Sequence, residues 1–320
     1  MILNSLLLVI GFVALIKCAD WFVEGASSLA KRLKMSDLLI GLTVVAFGTS
    51  APELFVNLFA AAADQTDIAL ANVLGSNICN VLLILGLSAL IYPLSVRSSM
   101  VKNELPLNLF IGLVLSAMVY FSIKETGSAV IDRLDATILI AIFLFFLWMS
   151  YKSTKGHENE TGEEIKELTW GKTILLLSVG LAGLIVGGKL IVDSAVEIAS
   201  KMGIDQTIIG LTIVAVGTSL PELATSVIAA YKKNSDIAIG NVIGSNIFNI
   251  VFILGITSFI KEIPVKEQNL DIIWMNLFVS AIPFAVIYIG KKHVIQKWQG
   301  LVFLLLYFSY IGYEISKTLK

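Results

Sequence analysis

The chain has 320 residues, 57% of them hydrophobic and 15% charged, with a net charge of -1 and a mean hydropathy of +0.87. Soluble globular proteins carry about 25% charge and about 45–50% apolar residues, and disordered chains need low hydrophobicity with high net charge, so both classes are excluded. No basic field points to nucleic acid as a partner, and the length accommodates ten membrane spans of about 20 residues each.

The N-terminal stretch Met1–Ile16 lacks a cationic flank and a small-residue cleavage pattern, so it reads as a first span and not as a signal peptide. Apolar stretches follow in order at 2–33, 38–63, 68–94, 104–122, 133–151, 170–200, 207–230, 237–260, 270–290 and 298–315. They predict an all-α integral membrane protein with ten transmembrane helices. Several exceed the length that a perpendicular span needs, so tilted or interrupted helices are expected. Few strand-like alternations occur in these runs, which disfavours a β-barrel.

The one clearly hydrophilic segment, Lys152–Lys172, divides the chain almost in half and reads as a solvated linker. Lys and Arg number 14 in the odd-numbered connections and 7 in the even-numbered ones with the C-terminal tail. The positive-inside rule then places the odd connections and the linker in the cytoplasm and both termini outside the cell membrane. Cys18 and Cys79 lie in apolar context and make neither a disulfide framework nor a metal-ligand spacing. His157 and His293 fall in polar connections, which argues against a His-based catalytic centre or metal site within the membrane.

Ile40–Ala61 matches Ile209–Ala230 at 14 of 22 positions, and Asp67–Gly86 matches Asp236–Gly255 at 13 of 20, both without a gap at an offset of 169 residues. That is the mark of internal duplication. The predicted organisation is a first repeat over 1–151 with ion-site motifs at 41–54 and 72–80, a hydrophilic cytoplasmic linker over 152–169, and a second repeat over 170–320 with motifs at 210–223 and 241–249. Five spans per repeat, an odd number, make the second copy enter from the opposite side. The expected fold is two five-helix inverted-topology repeats, with discontinuous helices around an ion site near the bilayer midplane.

Glu53 and Glu222 are carboxylates inside long apolar runs, where each costs roughly 2.5–3.5 kcal/mol on insertion scales. No Lys or Arg lies within ten residues of Glu53, and the basic residues nearest Glu222 are Lys232 and Lys233. A bound cation or a proton is the natural compensation. Pro52 and Pro221 cannot donate a backbone hydrogen bond and free carbonyls near Gly48 and Gly217. Thr49 and Ser50 stand four and three residues before Glu53, and Ser76–Asn80 and Ser245–Asn249 are each spaced by four, so each set shares a helix face. Converged, these groups are hard oxygen donors that suit Ca²⁺ better than Mg²⁺ or a soft metal. Ser50-Ala-Pro-Glu53 also reads as a capping box, and Gly75 and Gly244 as close-packing residues. Lys17, Asp20 and Glu24 in the first span, and Lys189, Asp193 and Glu197 in the sixth, are expected to neutralise one another at helical spacing or to snorkel near an interface, a role at a sliding helix interface being the sharper reading.

The segments GLTVVAFGTSAPEL and GLTIVAVGTSLPEL, with ANVLGSNICN and GNVIGSNIFN, resemble the two α-repeats of the sodium/calcium exchanger family within the cation/Ca²⁺ antiporter superfamily, in particular its compact prokaryotic members, the archaeal sodium/calcium exchanger among them. The resemblance covers nearly the whole chain. It implies eight helices in a tight core, with the first and sixth spans packed across it and sliding during alternating access. It also implies ion coordination by Glu53 and Glu222 with the side chains of Thr49, Ser50, Ser76, Thr218, Ser219 and Ser245. The carbonyls of Ala46 and Ala215 match coordinating positions, and Asn80 and Asn249 the remaining ones. Some relatives, the potassium-dependent exchangers included, carry Asp where this chain has Asn249, and proton-coupled calcium exchangers carry a GNxxE-type motif where it has GTSxPE. The expected function is therefore potassium-independent exchange of Ca²⁺ for Na⁺, three sodium ions per calcium, by a monomer in the lipid bilayer, with no resident cofactor. Ca²⁺/H⁺ exchange is the nearest alternative. A cation channel and an intramembrane enzyme are the other classes; the paired Glu residues have no nucleophile or metal-binding His beside them, so an enzyme is not expected.

Overall fold

The computed structural model describes residues 2–126, 129–153, 168–203, 213, 215–265 and 269–318. In chain order the helices are α1 (Ile2–Leu33), α2 (Asp37–Thr49), α3 (Ala51–Ala62), α4 (Ile68–Ile91), α5 (Ser98–Ile123), α6 (Arg133–Lys152), α7 (Trp170–Lys201), α8 (Leu220–Tyr231), α9 (Ser235–Ile260), α10 (Leu270–Val286) and α11 (Lys297–Thr318). A short helical turn, Ala215–Gly217, precedes α8. Among the described residues, α1, α4, α5, α6, α7 and α9 are each long and apolar enough to cross a membrane, and α2 with α3 makes one further broken span bent by 44°. The chain is thus a helical, multi-pass membrane protein. The predicted stretch 38–63 is the broken span, and 270–290 is realised as the shorter α10. Residues 207–212 and 214 of the predicted stretch 207–230 lie outside the described residues, as do 154–167 of the linker.

Polar residues start the helices that the apolar pattern only outlines. Ser36 Oγ accepts from the Leu39 N–H at 3.2 Å, Asn234 Oδ1 from the Ile237 N–H at 3.0 Å and Thr169 Oγ1 from the Lys172 N–H at 3.4 Å. The backbone repeats the sequence offset. Ser50 (φ -81, ψ 7) and Ser219 (φ -85, ψ 7) stand at matching helix breaks, each with Pro in the first turn that follows. The left-handed residues Asp64 (φ 58) and Lys233 (φ 60) close matching turns, and so do Lys34 (φ 52) and Gly203 (φ 79).

The capping box is a correction. Ser50 precedes α3, but its side chain makes no cap; its hydroxyl donates to Glu222 instead. Pro52 stands in the first turn, where its missing N–H is one that would lack a helical acceptor in any case, and the Ser50 hydroxyl crosses to the other half.

α9 is the most buried of the six long spans among the described residues, with 94% of its apolar window inside the protein and 72% for α4, against 33% for α1 and 28% for α7. These two site-bearing helices form the centre, and α1 and α7 lie against it as a long pair. Two antiparallel ribbons tie the halves together: β1 (Leu94–Ser95) with β4 (Val294–Ile295), and β2 (Ala129–Ile131) with β3 (Ile263–Val265). In register, Leu94 faces Ile295 and Ile131 faces Ile263. Each ribbon joins a strand of the first half to a strand of the second.

Glycines set the approach of α1 to α7. A Cβ at Gly180 would lie 2.9 Å from Phe22 Cα, and one at Gly11 would lie 3.1 Å from the Gly187 carbonyl. Small residues let membrane helices meet backbone to backbone. Gly180→Leu is therefore expected to destabilise the protein by about 1–3 kcal/mol, as over-packing does. Thermal unfolding in detergent checks this against Gly171→Leu, where a Cβ meets nothing within 4 Å; equal effects from the two would disprove it.

Among the intrahelical pairs, Lys189 meets Asp193 at 3.0 Å as the spacing predicts, but Asp20 does not pair with Lys17: it takes Lys232, on the α8–α9 turn, at 2.7 Å. The tertiary contact offers a closer cation than the helix does.

Candidate ion-binding site

Glu53 and Glu222 are each in the first turn of a helix, α3 and α8, and each is 1% exposed. The positive end of a helix dipole favours a carboxylate there, but no Lys or Arg side chain pairs with either among the described residues. Each takes its side-chain bonds from hydroxyls. Ser50 Oγ donates to Glu222 Oε1 at 2.9 Å. Ser219 Oγ donates to Glu53 Oε1 at 3.3 Å, and Ser76 Oγ to the same oxygen at 3.3 Å. Each half therefore reaches across to hold the other half's carboxylate.

The same reciprocity runs outward. Thr49 Oγ1 donates to Asn241 Oδ1 at 3.0 Å, and Thr218 Oγ1 to Asn72 Oδ1 at 3.4 Å. Asn72 Nδ2 donates to Asn57 Oδ1 (2.8 Å) and the Glu53 carbonyl (3.4 Å); Asn241 Nδ2 donates to Ser226 Oγ (2.9 Å) and the Glu222 carbonyl (3.3 Å). On the central axis Asn80 Nδ2 donates to Asn246 Oδ1 and Asn249 Nδ2 to Asn77 Oδ1, both at 3.0 Å. Asn77 and Asn246 each donate to the other's backbone carbonyl, at 3.2 and 3.4 Å. Every one of these bonds has its counterpart 169 residues along.

Asn80 and Asn249 sit in π-helical stretches of α4 and α9, Cys79–Ile84 and Phe248–Leu254. The wider turn leaves backbone groups loosely paired, a device that recurs at functional sites. Gly244 allows α9 to close on α2: a Cβ there would lie 2.6 Å from the Leu42 carbonyl.

The chemistry of the site follows from which atoms have no donor. Glu53 Oε2, Glu222 Oε2, Asn80 Oδ1, Asn249 Oδ1 and Ser245 Oγ are buried with no hydrogen-bond partner. They are two carboxylate oxygens, two amide oxygens and a hydroxyl. The amide N–H groups of both Asn residues are tied back to the scaffold, which turns their oxygens loose. Two buried charges without a counter-charge are costly, and a divalent cation on hard oxygens would compensate both. No group of three or more His, Cys, Asp and Glu occurs among the described residues, so the arrangement does not suit a soft metal.

Ten of the twelve predicted residues thus fall in one buried network or beside it: Glu53, Glu222, Thr49, Ser50, Ser76, Asn80, Thr218, Ser219, Ser245 and Asn249. The Ala46 carbonyl accepts the Ser50 N–H at 3.0 Å, and Ala215 begins the turn before α8. Asn57, Asn72, Asn77, Ser226, Asn241 and Asn246 belong to the same network and are not among the twelve. The signal for four of these was present, since Asn72 and Asn241, and Asn77 and Asn246, are identical at the repeat offset.

The family described as sodium/calcium exchanger protein matches residues 3–152 and 172–315. The chain is 38% identical to a protein named putative antiporter CaxA from Alkalimonas amylolytica, over 98% of each chain. It is 33% identical to sodium/calcium exchanger MaX1 from Methanosarcina acetivorans, over 96% of this chain and 97% of that one. A solved structure of the sodium-calcium exchanger NCX_Mj, soaked with zero Na⁺ and Ca²⁺, superposes with a TM-score of 0.82 at 32% identity, covering 97% of this chain and 98% of the other.

Proposed function

The chain belongs to the sodium/calcium exchanger family of membrane antiporters, and from that premise we propose that the cluster of unpaired oxygens between Glu53 and Glu222 holds the ions it exchanges, Ca²⁺ in one direction and Na⁺ in the other. The observation that carries this reading is the pair of carboxylate oxygens, Glu53 Oε2 and Glu222 Oε2, buried without any donor. Thr49, Ser50, Ser76, Asn80, Thr218, Ser219, Ser245 and Asn249 complete the site, with the carbonyls of Ala46 and Ala215.

Two carboxylates neutralise one Ca²⁺. The same oxygens can be shared among sodium ions, and since both cargoes compete for one set of ligands, one leaves as the other enters. That competition is the physical basis of antiport. The resemblance implies three sodium ions per calcium; on a site of charge two that load would be net positive while the calcium load would be neutral, so the cycle would move charge. Alternation of access would come from the two inverted repeats tilting about the central α4 and α9, with the α1–α7 pair moving across them. The Lys and Arg count of the connections supports a cytoplasmic linker with both termini outside, and a monomer is the transporting unit of this reading.

Asn249 and Asn80 are neutral, so the site lacks the third carboxylate that an additional monovalent cation would need. Exchange is therefore expected to run at an unchanged rate when K⁺ is replaced by choline on both sides of reconstituted vesicles. A requirement for K⁺ would overturn this part of the reading.

A further inference from the structure

One contact in the structure breaks the two-fold pattern. Lys232, on the α8–α9 turn, reaches α1, where its Nζ lies 2.7 Å from Asp20 Oδ1 and donates to the Asp20 carbonyl at 3.1 Å. Asn234 on the same turn donates to Asp37 Oδ2 at 2.7 Å and to Ser27 Oγ of α1 at 3.4 Å. The central helices thus grip α1 at two levels.

The repeat offset maps Asp20 onto Lys189 of α7, and it maps the turn Lys232–Lys233 onto Ala63–Asp64, between α3 and α4. The two turns share a backbone, since Lys233 and Asp64 are both left-handed, with φ 60 and 58. Asp20 maps onto a base, Lys189, and Lys233 onto an acid, Asp64, while Lys232 itself maps onto Ala63, so the acid of the α3–α4 turn stands one residue beyond the counterpart of Lys232. Where α1 presents an acid to a basic turn, α7 presents a base to an acidic one. Lys189 and Asp64 now pair with neighbours: Lys189 with Asp193 at 3.0 Å and Asp64 with Lys261 at 2.5 Å. Their side chains are 74% and 73% exposed, so both are free to exchange partners.

In a protein built from inverted repeats, the opposite access state is approached by exchanging the conformations of the two halves. Under that exchange the contact of α1 with the α8–α9 turn becomes a contact of α7 with the α3–α4 turn. We infer that Asp64 and Lys189 form a second latch, which closes when the Asp20–Lys232 latch opens, so that each end state of the transport cycle is held by its own ion pair of reversed polarity. This rests on the alternating-access reading above. The latch residues touch no transported ion; they position α1 and α7 against the centre.

Paired cysteines test it in membranes, with Cys18 and Cys79 buried and left in place. D20C/K232C and D64C/K189C, treated with a short bifunctional thiol reagent, are both expected to cross-link, and each cross-link is expected to arrest Ca²⁺ uptake. Absence of a D64C/K189C cross-link under conditions that join D20C and K232C would overturn the inference. A charge cycle gives a second readout. K189Q and D64N are each expected to slow uptake by about two- to fivefold, the range for a partly exposed ion pair, and K189Q/D64N by no more than either alone. Effects that multiply in the double variant would count against a latch. Cross-linking needs no ion flux, so a chain that cross-links as described but shows no Na⁺-driven uptake would sink the exchange reading and leave the latch standing.

Discussion

Glu53→Gln and Glu222→Gln are each expected to abolish Na⁺-driven Ca²⁺ uptake while the protein still folds and inserts. Gln keeps the size of the side chain and an oxygen for the hydroxyl that each carboxylate accepts, Ser219 and Ser76 at Glu53 and Ser50 at Glu222. What it removes is one of the two charges facing the ion. A divalent cation in a buried site of single charge is left uncompensated, and breaking a buried charge pair by removing one partner costs about 3–5 kcal/mol. That is a loss of more than about a hundredfold in affinity. The same substitution removes an unpaired buried charge from the ion-free protein, so its thermal stability in Na⁺- and Ca²⁺-free buffer is expected to hold or rise. The opposite signs separate a site residue from a structural one. Wild-type uptake in either variant, or a large fall in ion-free stability, would refute the assignment.

Asn246→Leu is expected to be the most damaging neutral change. Its side chain accepts from Asn80 Nδ2 at 3.0 Å and donates to the Asn77 carbonyl at 3.4 Å, at 1% exposure. Leucine fits the volume but leaves two buried polar groups without partners, each at about 1–3 kcal/mol. The melting temperature is expected to fall by more than about 5 °C, on a scale of about 2–4 °C per kcal/mol for a large domain. Ca²⁺ affinity is expected to fall with it, because Asn80 loses the bond that aims its free oxygen. Asn77→Leu breaks the matching bonds, from Asn249 Nδ2 at 3.0 Å and to the Asn246 carbonyl at 3.2 Å, and is expected to cost the same. Thermal unfolding of the two variants side by side decides it; an unchanged melting point in either contradicts the reciprocal bridge.

Much of this is legible in the amino-acid sequence. A carboxylate repeated at 53 and 222 inside apolar runs has few structural explanations, and the gapless offset places two copies of one motif around one axis. What stayed hidden was tertiary. Ser50 has the spacing of a helix cap, and only the position of α8 shows that its hydroxyl is taken by Glu222. Asp20 has Lys17 in helical reach, yet the α8–α9 turn brings Lys232 closer, and nothing in local spacing reports that. The π-helical turns at Cys79–Ile84 and Phe248–Leu254 have no propensity signature, and each carries one Asn of the bonds that cross between the repeats, Asn80 and Asn249. The ribbons between β1 and β4 and between β2 and β3 are two or three residues long, too short for a period to show.

The central claim is that Na⁺ and Ca²⁺ exchange through one set of oxygens, with sodium and not protons as the counter-ion. Ca²⁺ uptake into proteoliposomes loaded with Na⁺ and diluted into Na⁺-free medium, with pH equal and buffered on both sides and K⁺ absent, tests it most directly. The expected result is uptake that depends on the outward Na⁺ gradient, saturates with Ca²⁺ and disappears in Glu53→Gln. Uptake that follows an imposed pH gradient and ignores Na⁺ would contradict it.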